Sequence, residues 1–306
     1  MLEPVRVSSS QAVSSVPVPA VAPGSRAVIG LCLIAVYVIW GSTYLALRYV
    51  VEGMPALLAG GLRYVSAGVI LYVALRLRGA PRPTLREWAW SAPVGALLFL
   101  VGNGFVALAE REVASGLAAT MCAAMPVFVA ALVVLSGERP TVREWGGLLL
   151  GFGGVALMSV GDLRATPRAA ILLVLAPIGW AVGSVWSRRL PLPRGLLSAA
   201  TQMITGGVVL GVAGVVTGEC WPEVVPARAV GALVYLVIAG SIVGFSAYSH
   251  LLRHARPATA TSYAYVNPVL AVLLGAALAG EHPGPSTLLG GLLVIGGVAL
   301  VLGRRR

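Results

Sequence analysis

Ten stretches of the chain consist almost entirely of apolar residues, and each ends at charged or turn-forming residues. A helix needs about 20 apolar residues to cross the hydrocarbon core of a bilayer. The pattern therefore predicts ten transmembrane helices, at residues 27–47, 55–75, 88–108, 113–135, 145–161, 169–187, 195–216, 229–250, 257–279 and 285–302. Residues 1–26 are rich in Ser, Val and Pro without helical periodicity, which predicts a disordered tail.

The composition indicates an all-α integral membrane protein. Hydrophobic residues make up 58% of the chain and charged residues 11%, with a mean hydropathy of +0.90, whereas soluble domains carry about 25% charged residues. All 22 basic residues are arginine, so the phosphate-binding lysine of a P-loop ATPase is absent. The one aspartate is Asp162, which excludes an aspartyl dyad. Because no acid, base or nucleophile set is clustered, the sequence does not predict an enzyme or a receptor.

No metal or cofactor is predicted. The three cysteines are isolated, so they form neither a disulfide framework nor a zinc motif. His250 and His254 have a spacing that can ligate a metal, but two arginines flank them and favour a solvated helix end. The net charge of +11 also occurs in nucleic-acid-binding proteins; the positions of the arginines indicate a topology signal instead, and no nucleic-acid partner is expected.

The arginines concentrate in the connections on one side of the predicted bundle. That side contains both termini and residues 76–86, 139–143, 188–194 and 253–256. Positively charged loops remain on the cytoplasmic side of a membrane. Both termini, including the 1–26 tail, are therefore predicted to be cytoplasmic in a multi-pass protein of the inner membrane.

The second half of the chain repeats features of the first. The segment GGLLLGFGGVAL at 146–157 resembles GGLLVIGGVAL at 290–300, and Gly137-Glu138 matches Gly280-Glu281 at an offset of 143 residues. Further pairs follow in the same order: Pro126 and Pro268, Trp40 and Trp180, and Arg63 and Gln202. The matches predict two units of five helices, residues 27–162 and 163–303. Because five is odd, the units would cross the membrane in opposite directions, as inverted repeats of secondary transporters do.

With these features the chain resembles the EamA-type drug/metabolite transporter superfamily, which is built from two EamA repeats of five helices. The resemblance covers about 28–303 and rests on an ordered set of motifs: Trp40-Gly41, Pro55, Arg63-Tyr64, Ser115-Gly116-Leu117-Ala118-Ala119, Pro126, Gly137-Glu138, Trp180, Pro257-Ala258, Asn267-Pro268 and Gly280-Glu281. Membership implies ten helices, both termini inside and a substrate cavity between the halves. It does not imply a particular substrate.

Arg63 is the main candidate for substrate binding. At 1.5 Å per residue it lies about 12 Å from Pro55 along the second span, close to the bilayer centre. Ionisable groups at that depth are rare and mark functional sites by default. Arg63 would either hold an anionic substrate group in the cavity or bind helix-end carbonyls and lock two helices together.

The other candidate substrate-binding residues are aromatic residues and amides within the spans: Trp40, Tyr44, Trp180, Tyr265, Asn103, Gln202 and Asn267. Aromatic walls suit apolar substrates, but the same residues would also serve helix packing. Tyr263 and Tyr265 are two positions apart, so a helix turns them about 200° from each other. Only one of the two tyrosines can therefore face the cavity.

Two prolines and two glutamates are candidate gating positions. Pro126 and Pro268 remove backbone donors within their helices, so they would act as hinges or as packing kinks. Glu138 and Glu281 occupy equivalent places at opposite membrane faces, where they would cap gating helix ends or take part in proton coupling. No carboxylate lies in the middle of a predicted span, which gives proton coupling no support from the sequence.

Glycines recur at close spacing in the fifth and tenth spans, as in Gly147 and Gly151. Such pairs allow helix backbones to approach closely. The same face would serve packing within the chain or a homodimer.

The sequence as a whole predicts a secondary transporter, an exporter or permease, that moves a small metabolite, amino acid or drug-like solute by alternating access. The alternative is a passive channel or facilitator, which would require a continuous polar stripe along several helices. The in-span polar groups are instead few and scattered near mid-depth. Lipid and a small-molecule solute are the expected partners.

Overall fold

The computed structural model describes residues 25–113, 115–135, 137, 140–158, 165–279 and 284–302. Every regular element within these ranges is a helix. The predicted tail lies outside the described residues except for Ser25 and Arg26, and Arg26 begins the first helix. Glu138 and Glu281 also lie outside them, so their predicted gating role stays a prediction.

Twelve helices follow one another in the described residues. The first six are α1 Arg26–Gly53, α2 Ala56–Leu77, α3 Leu85–Ala109, α4 Ser115–Cys122, α5 Met125–Leu135 and α6 Val142–Met158. The remaining six are α7 Pro167–Arg189, α8 Leu196–Val216, α9 Ala227–His254, α10 Pro257–Thr261, α11 Tyr263–Ala279 and α12 Pro285–Leu302.

Eight helices of the described residues are long and apolar enough to cross a membrane. They are α1, α2, α3, the segment Leu117–Leu135 of α4 and α5, α7, α8, α9 and α12. The predicted fifth span corresponds to α6, and the predicted ninth span, residues 257–279, corresponds to α10 and α11 together. The helices α6 and α11 have 17 residues each. A helix of that length extends about 26 Å, slightly less than the roughly 30 Å of a hydrocarbon core.

The contacts between the helices pair the two halves of the chain. The most extensive contacts of the described residues join α2 to α8 and α6 to α12. In addition, α1 packs against α9 and α11, whereas α7 packs against α3 and α5. The two sets of contacts correspond: α1, the first helix of its half, packs against two later helices of the second half, and α7, the first helix of the second half, packs against the equivalent helices of the first half. The candidate site lies where these two helices approach each other.

Glycines allow the two long helix contacts to form. A Cβ atom added to Gly61 of α2 would lie 2.8 Å from the Cα of Gly211 in α8. Likewise, a Cβ on Gly147 of α6 would lie 2.6 Å from the carbonyl oxygen of Gly297 in α12, and one on Gly151 would lie 2.9 Å from the ring of Tyr265. The face of α6 that contains Gly147 and Gly151 is therefore occupied within the chain itself.

The helices α3 and α9 each contain a π-helical segment, at Ala96–Gly104 and Leu236–Val243. The wider turn changes which side chains face inward, and such segments are frequent at functional sites. Asn103 lies in the first of these segments, and its side-chain amide donates a hydrogen bond to the backbone carbonyl of Leu98, five residues earlier, at 3.0 Å. The sequence pattern did not predict either segment.

Polar contacts tie the halves together at both ends of the bundle. We call the end where α1 begins the near end and the opposite end the far end. At the far end, the Glu219 carboxylate accepts hydrogen bonds from the backbone N–H groups of Leu57 and Leu58, both at 2.9 Å, and so caps the start of α2. At the near end, Arg256 forms an ion pair with the buried Glu144 at 2.6 Å.

Candidate functional site

A cavity lies between the two halves of the bundle, lined by residues of nearly all the central helices. α1, α2 and α3 contribute Trp40, Thr43, Tyr44, Leu47, Arg63, Tyr64, Phe99, Gly102, Asn103 and Val106. The others are Cys122, Met125, Ala176, Pro177, Trp180, Gly240, Phe245, Tyr263, Ala264 and Asn267. The lining is therefore mostly apolar and aromatic, with a few polar side chains.

Arg63 supplies the positive charge of the cavity. It is 6% exposed, and its Nε donates to the Oγ of Ser241 in α9 at 2.8 Å. The guanidinium also lies 4.6 Å from the centre of the Tyr64 ring. No carboxylate of the described residues lies within 4 Å of the guanidinium, so within that part of the chain its charge has no ionic partner. An uncompensated buried charge is costly, and an anionic ligand group in the cavity would remove that cost.

The amide of Asn267 lies on another wall of the same cavity. Asn267 is 2% exposed, and its side-chain oxygen has no hydrogen-bond donor. Tyr44 lies within hydrogen-bonding reach of both Asn267 and Cys122, yet the side-chain oxygen of Asn267 has no hydrogen-bond partner. This oxygen can therefore accept a hydrogen bond from a ligand.

Aromatic residues fill the part of the cavity that faces the near end. Trp40 contacts Trp180, Tyr248 and Tyr263, with ring centres 5.6, 5.1 and 4.7 Å apart. The Trp40 indole N–H donates to the carbonyl of Gly240 at 2.9 Å, so this tryptophan links α1 to the π-helical segment of α9. The cluster closes the near side of the cavity and provides an apolar surface for a ligand.

Six of the predicted substrate-binding residues line this cavity: Trp40, Tyr44, Arg63, Asn103, Trp180 and Asn267. Gln202 and Tyr265 do not. Gln202 donates to Ser198 of its own helix at 2.7 Å and accepts from Ser187 of α7 at 3.2 Å, so both ends of its amide serve helix packing. Arg63 and Gln202 match in the sequence repeat but differ in their surroundings.

The structure places Tyr263, not Tyr265, in the lining of the cavity. Tyr265 is fully buried on another face of α11, where its ring covers Gly151 of α6. The expectation that only one of the two tyrosines faces the cavity agrees with the structure. The sequence named Tyr265 rather than Tyr263, because helical spacing separates the two residues without indicating which neighbour each one meets.

Helix breaks precede both predicted hinge prolines. α4 ends at Cys122, four residues before Pro126, and α5 begins at Met125. Similarly, α10 ends at Thr261 and α11 begins at Tyr263, before Pro268. A proline ring clashes with the carbonyl four residues earlier, which accounts for the break next to Pro126. Movement at either break remains a prediction.

Sequence reasoning missed three residues in or near the cavity. Ser241, the partner of Arg63, gave no signal, since serines are common in helices that pack closely. Pro177 lies inside α7 and lines the cavity, and an in-span proline was a usable sign. Glu110 follows the predicted third span and was not a candidate, but it is 5% exposed, and neither of its carboxylate oxygens has a hydrogen-bond partner.

Comparison with known proteins gives consistent matches over most of the chain. The chain is 42% identical over 278 residues to the "Uncharacterized inner membrane transporter YedA" of Escherichia coli K12, and the match covers 89% of this chain and 90% of that protein. It is 29% identical to the "Probable terminal-alkyne amino-acid exporter" of Streptantibioticus cattleyicolor, covering 90% and 94%. A chain of known crystal structure superimposes with a TM-score of 0.73 over 91% of this chain and 97% of that one, at 20% identity, which shows a shared fold.

The EamA-like transporter family matches the chain twice, over residues 28–160 and 167–303. The relatives are named as transporters and exporters, and the helices described above suit a protein with several membrane spans. The two matches and the identity over nine-tenths of a relative lead to one conclusion: this chain belongs to the EamA-like transporter family.

Proposed function

We propose that this protein is a secondary transporter of the inner membrane that binds a small solute with a carboxylate or other anionic group and an apolar part. The observation that carries the proposal is Arg63, a buried cation without a carboxylate partner among the described residues, which opens onto an aromatic-lined cavity between the halves. Arg63 would hold the anionic group, Asn267 would accept a hydrogen bond, and Trp40 and Trp180 would contact the apolar part. The exporter name of one relative agrees with such a solute.

We also propose that the chain consists of two inverted repeats, residues 27–162 and 163–303, with ten membrane-spanning helices. The paired contacts support this arrangement: α2 with α8, α6 with α12, and the exchangeable contacts of α1 and α7. The π-helical segments of α3 and α9 also occupy equivalent places in the two halves. Inverted repeats are related by a two-fold axis in the membrane plane. When the two repeats exchange conformations, the protein passes between two related states that open to opposite sides of the membrane.

The closed near side of the cavity supports alternating access. The aromatic cluster around Trp40 blocks the passage, and the Tyr37 hydroxyl lies 2.7 Å from that of Ser262 on the same side. In the proposed orientation the near end is cytoplasmic, so transport requires these contacts to separate. The breaks before Pro126 and Pro268 provide places where the helices can bend. A passive channel would instead need a continuous opening.

Binding is tested first, with purified protein and probes that differ in one group. We expect L-phenylalanine and 3-phenylpropionate to raise the thermal unfolding temperature and phenethylamine, which lacks a carboxylate, to leave it unchanged. Arg63→Ala should abolish the shift, whereas Arg194→Ala, which removes an exposed arginine, should preserve it. Equal shifts with all three probes, or full binding by Arg63→Ala, would contradict the assignment of Arg63 to an anionic group.

Transport is tested with the protein in proteoliposomes and a radiolabelled form of any stabilising probe. A carrier that alternates between two states shows saturation and faster exchange when unlabelled solute is present on the opposite side. Flux that neither saturates nor responds to solute on the opposite side would favour the channel alternative.

A further inference from the structure

Glu110 is a buried carboxylic acid at the far end of the bundle. It follows Ala109, the last residue of α3, and its backbone N–H donates to the carbonyl of Val106 at 2.9 Å. Its side chain nevertheless points into the protein, where neither oxygen has a hydrogen-bond partner. Val106, one helical turn before it, lines the cavity. The carboxyl group therefore lies next to the proposed substrate site but takes no part in the contacts described above.

The neighbouring charges do not neutralise Glu110. Arg48 of α1 is the basic residue that acts on it electrostatically, but the Nε of Arg48 is paired with Glu52 at 3.0 Å. From α7, Arg168 pairs with Glu112 at 3.5 Å. Among the described residues, no ion pair includes Glu110.

The remaining titratable groups around Glu110 connect it with the cavity. Tyr44 of α1 and Cys122 of α4 both line the cavity, and both interact electrostatically with Glu110. The helix α2, which also contacts this end of α3, carries Arg63 in its far half, bound to Ser241. No charged side chain occurs in α5. A change in the charge of Glu110 would therefore act on the cavity wall directly.

Burial raises the pKa of Glu110 well above its usual range, and the nearby Arg48 offsets only part of this effect. The acid is therefore neutral in this conformation at pH values where an exposed glutamate is ionised. A conformation that admitted water to it would allow it to ionise.

We propose that Glu110 is a proton-binding site that couples solute transport to proton movement: its carboxylate takes up one proton when buried and releases it when the conformation changes. This inference rests on the proposed transport function and assigns to it a source of energy. The proton adds to a carboxylate oxygen and leaves from the same oxygen, with no other bond changed. A buried acid with only a structural role would not respond to a proton gradient.

Proton binding can be measured without any solute, from the pH dependence of unfolding. Because the native pKa is raised, native protein holds a proton that unfolded protein releases, so stability falls as pH increases from the unfolded pKa of about 4.3 towards the native pKa. In that window the unfolding equilibrium shifts by up to about tenfold per pH unit for one proton. Glu110→Gln removes this contribution, and Glu223→Gln is the matched control because Glu223 is exposed.

We expect the unfolding temperature of wild type to decrease relative to Glu110→Gln as the pH is raised from 5 to 8, while Glu223→Gln follows wild type. A constant difference between wild type and Glu110→Gln over this range would overturn the proton-binding assignment. If Glu110→Gln does not fold, Glu110→Asp replaces it. The shorter side chain places the acid at a different position, so we expect the pH dependence of unfolding to differ from that of wild type. An identical pH profile would overturn the assignment.

Coupling is then measured in proteoliposomes with the solute identified above and an imposed pH gradient. We expect the gradient to change the initial rate of wild-type transport severalfold and to leave the rate of Glu110→Gln unchanged. Solute transport by wild type that ignores the gradient overturns this inference and leaves the proposed function intact. If wild type carries no solute with or without a gradient, the proposed function itself fails.

Discussion

The Nε of Arg63 and the Oγ of Ser241 lie 2.8 Å apart, in α2 and in the π-helical segment of α9. This buried hydrogen bond joins the first half of the chain to the second and uses only one of the five donors of the guanidinium. Gly240, the neighbour of Ser241, provides space, because a Cβ atom there would lie 3.0 Å from an Nη atom of Arg63. The arginine is thus fixed in direction and still able to bind a ligand.

The serine should matter for binding even though it does not line the cavity. Ser241→Ala removes the acceptor for Nε and leaves a buried charged donor unsatisfied, and hydrogen bonds to charged groups contribute about 1.5–3 kcal/mol. We expect solute affinity to fall about tenfold or more, measured by isothermal titration. Ser66→Ala removes a hydroxyl that donates only to carbonyls of its own helix and should leave affinity unchanged; equal losses in both variants would refute the role of Ser241.

Trp40 should act on the conformational change more than on binding. Trp40→Phe keeps an aromatic ring but removes the indole N–H that donates to the carbonyl of Gly240 at 2.9 Å. We expect the near-side contacts to weaken, so that the maximal transport rate changes severalfold while solute affinity changes less. A variant with a normal rate and strongly reduced affinity would show instead that Trp40 serves mainly as a binding surface.

Two adjacent glycines of α6 should respond differently to the same substitution. A Cβ at Gly147 would meet the backbone of α12 at 2.6 Å, whereas a Cβ at Gly146 would meet nothing within 4 Å. Gly147→Ala forces the helices apart and should cost about 1–3 kcal/mol of stability, as overpacking does. Gly146→Ala should be neutral or slightly stabilising. Thermal unfolding in detergent measures both, and similar midpoints for the two variants would contradict the packing of α6 on α12.

The orientation in the membrane can be tested with a native cysteine. Cys220 follows α8 at the far end and is exposed, so the proposed topology places it outside. In a protein with Cys32 and Cys122 replaced by serine, a membrane-impermeant maleimide should label Cys220 in right-side-out vesicles. When Cys220 is also replaced and Arg194→Cys is introduced at the near end, labelling should require permeabilised vesicles. The reverse pattern would place the termini outside.

The hydrophobic pattern was sufficient to predict an all-helical protein with several membrane spans and the approximate position of most of the described helices. Both properties depend on local composition and length, because a bilayer requires every backbone group to be bonded within a helix. Arg63 was also predictable, since a charge in an apolar span is conspicuous whatever surrounds it. The two matches to the family agree with the order of motifs in the sequence.

Only the tertiary structure decided which side chains meet. Tyr263 and Tyr265 are equivalent in a pattern of apolar positions, and so are Arg63 and Gln202 in the repeat, yet one of each pair lines the cavity and the other packs between helices. The π-helical segments of α3 and α9 shift the inward face of each helix in a way that a regular helical period does not predict. Glu110 shows the same limit: its position after α3 suggests a loop, but its burial depends on helices distant in the sequence. Local sequence determines the face of a helix, whereas the environment of that face is determined by the helices that pack against it.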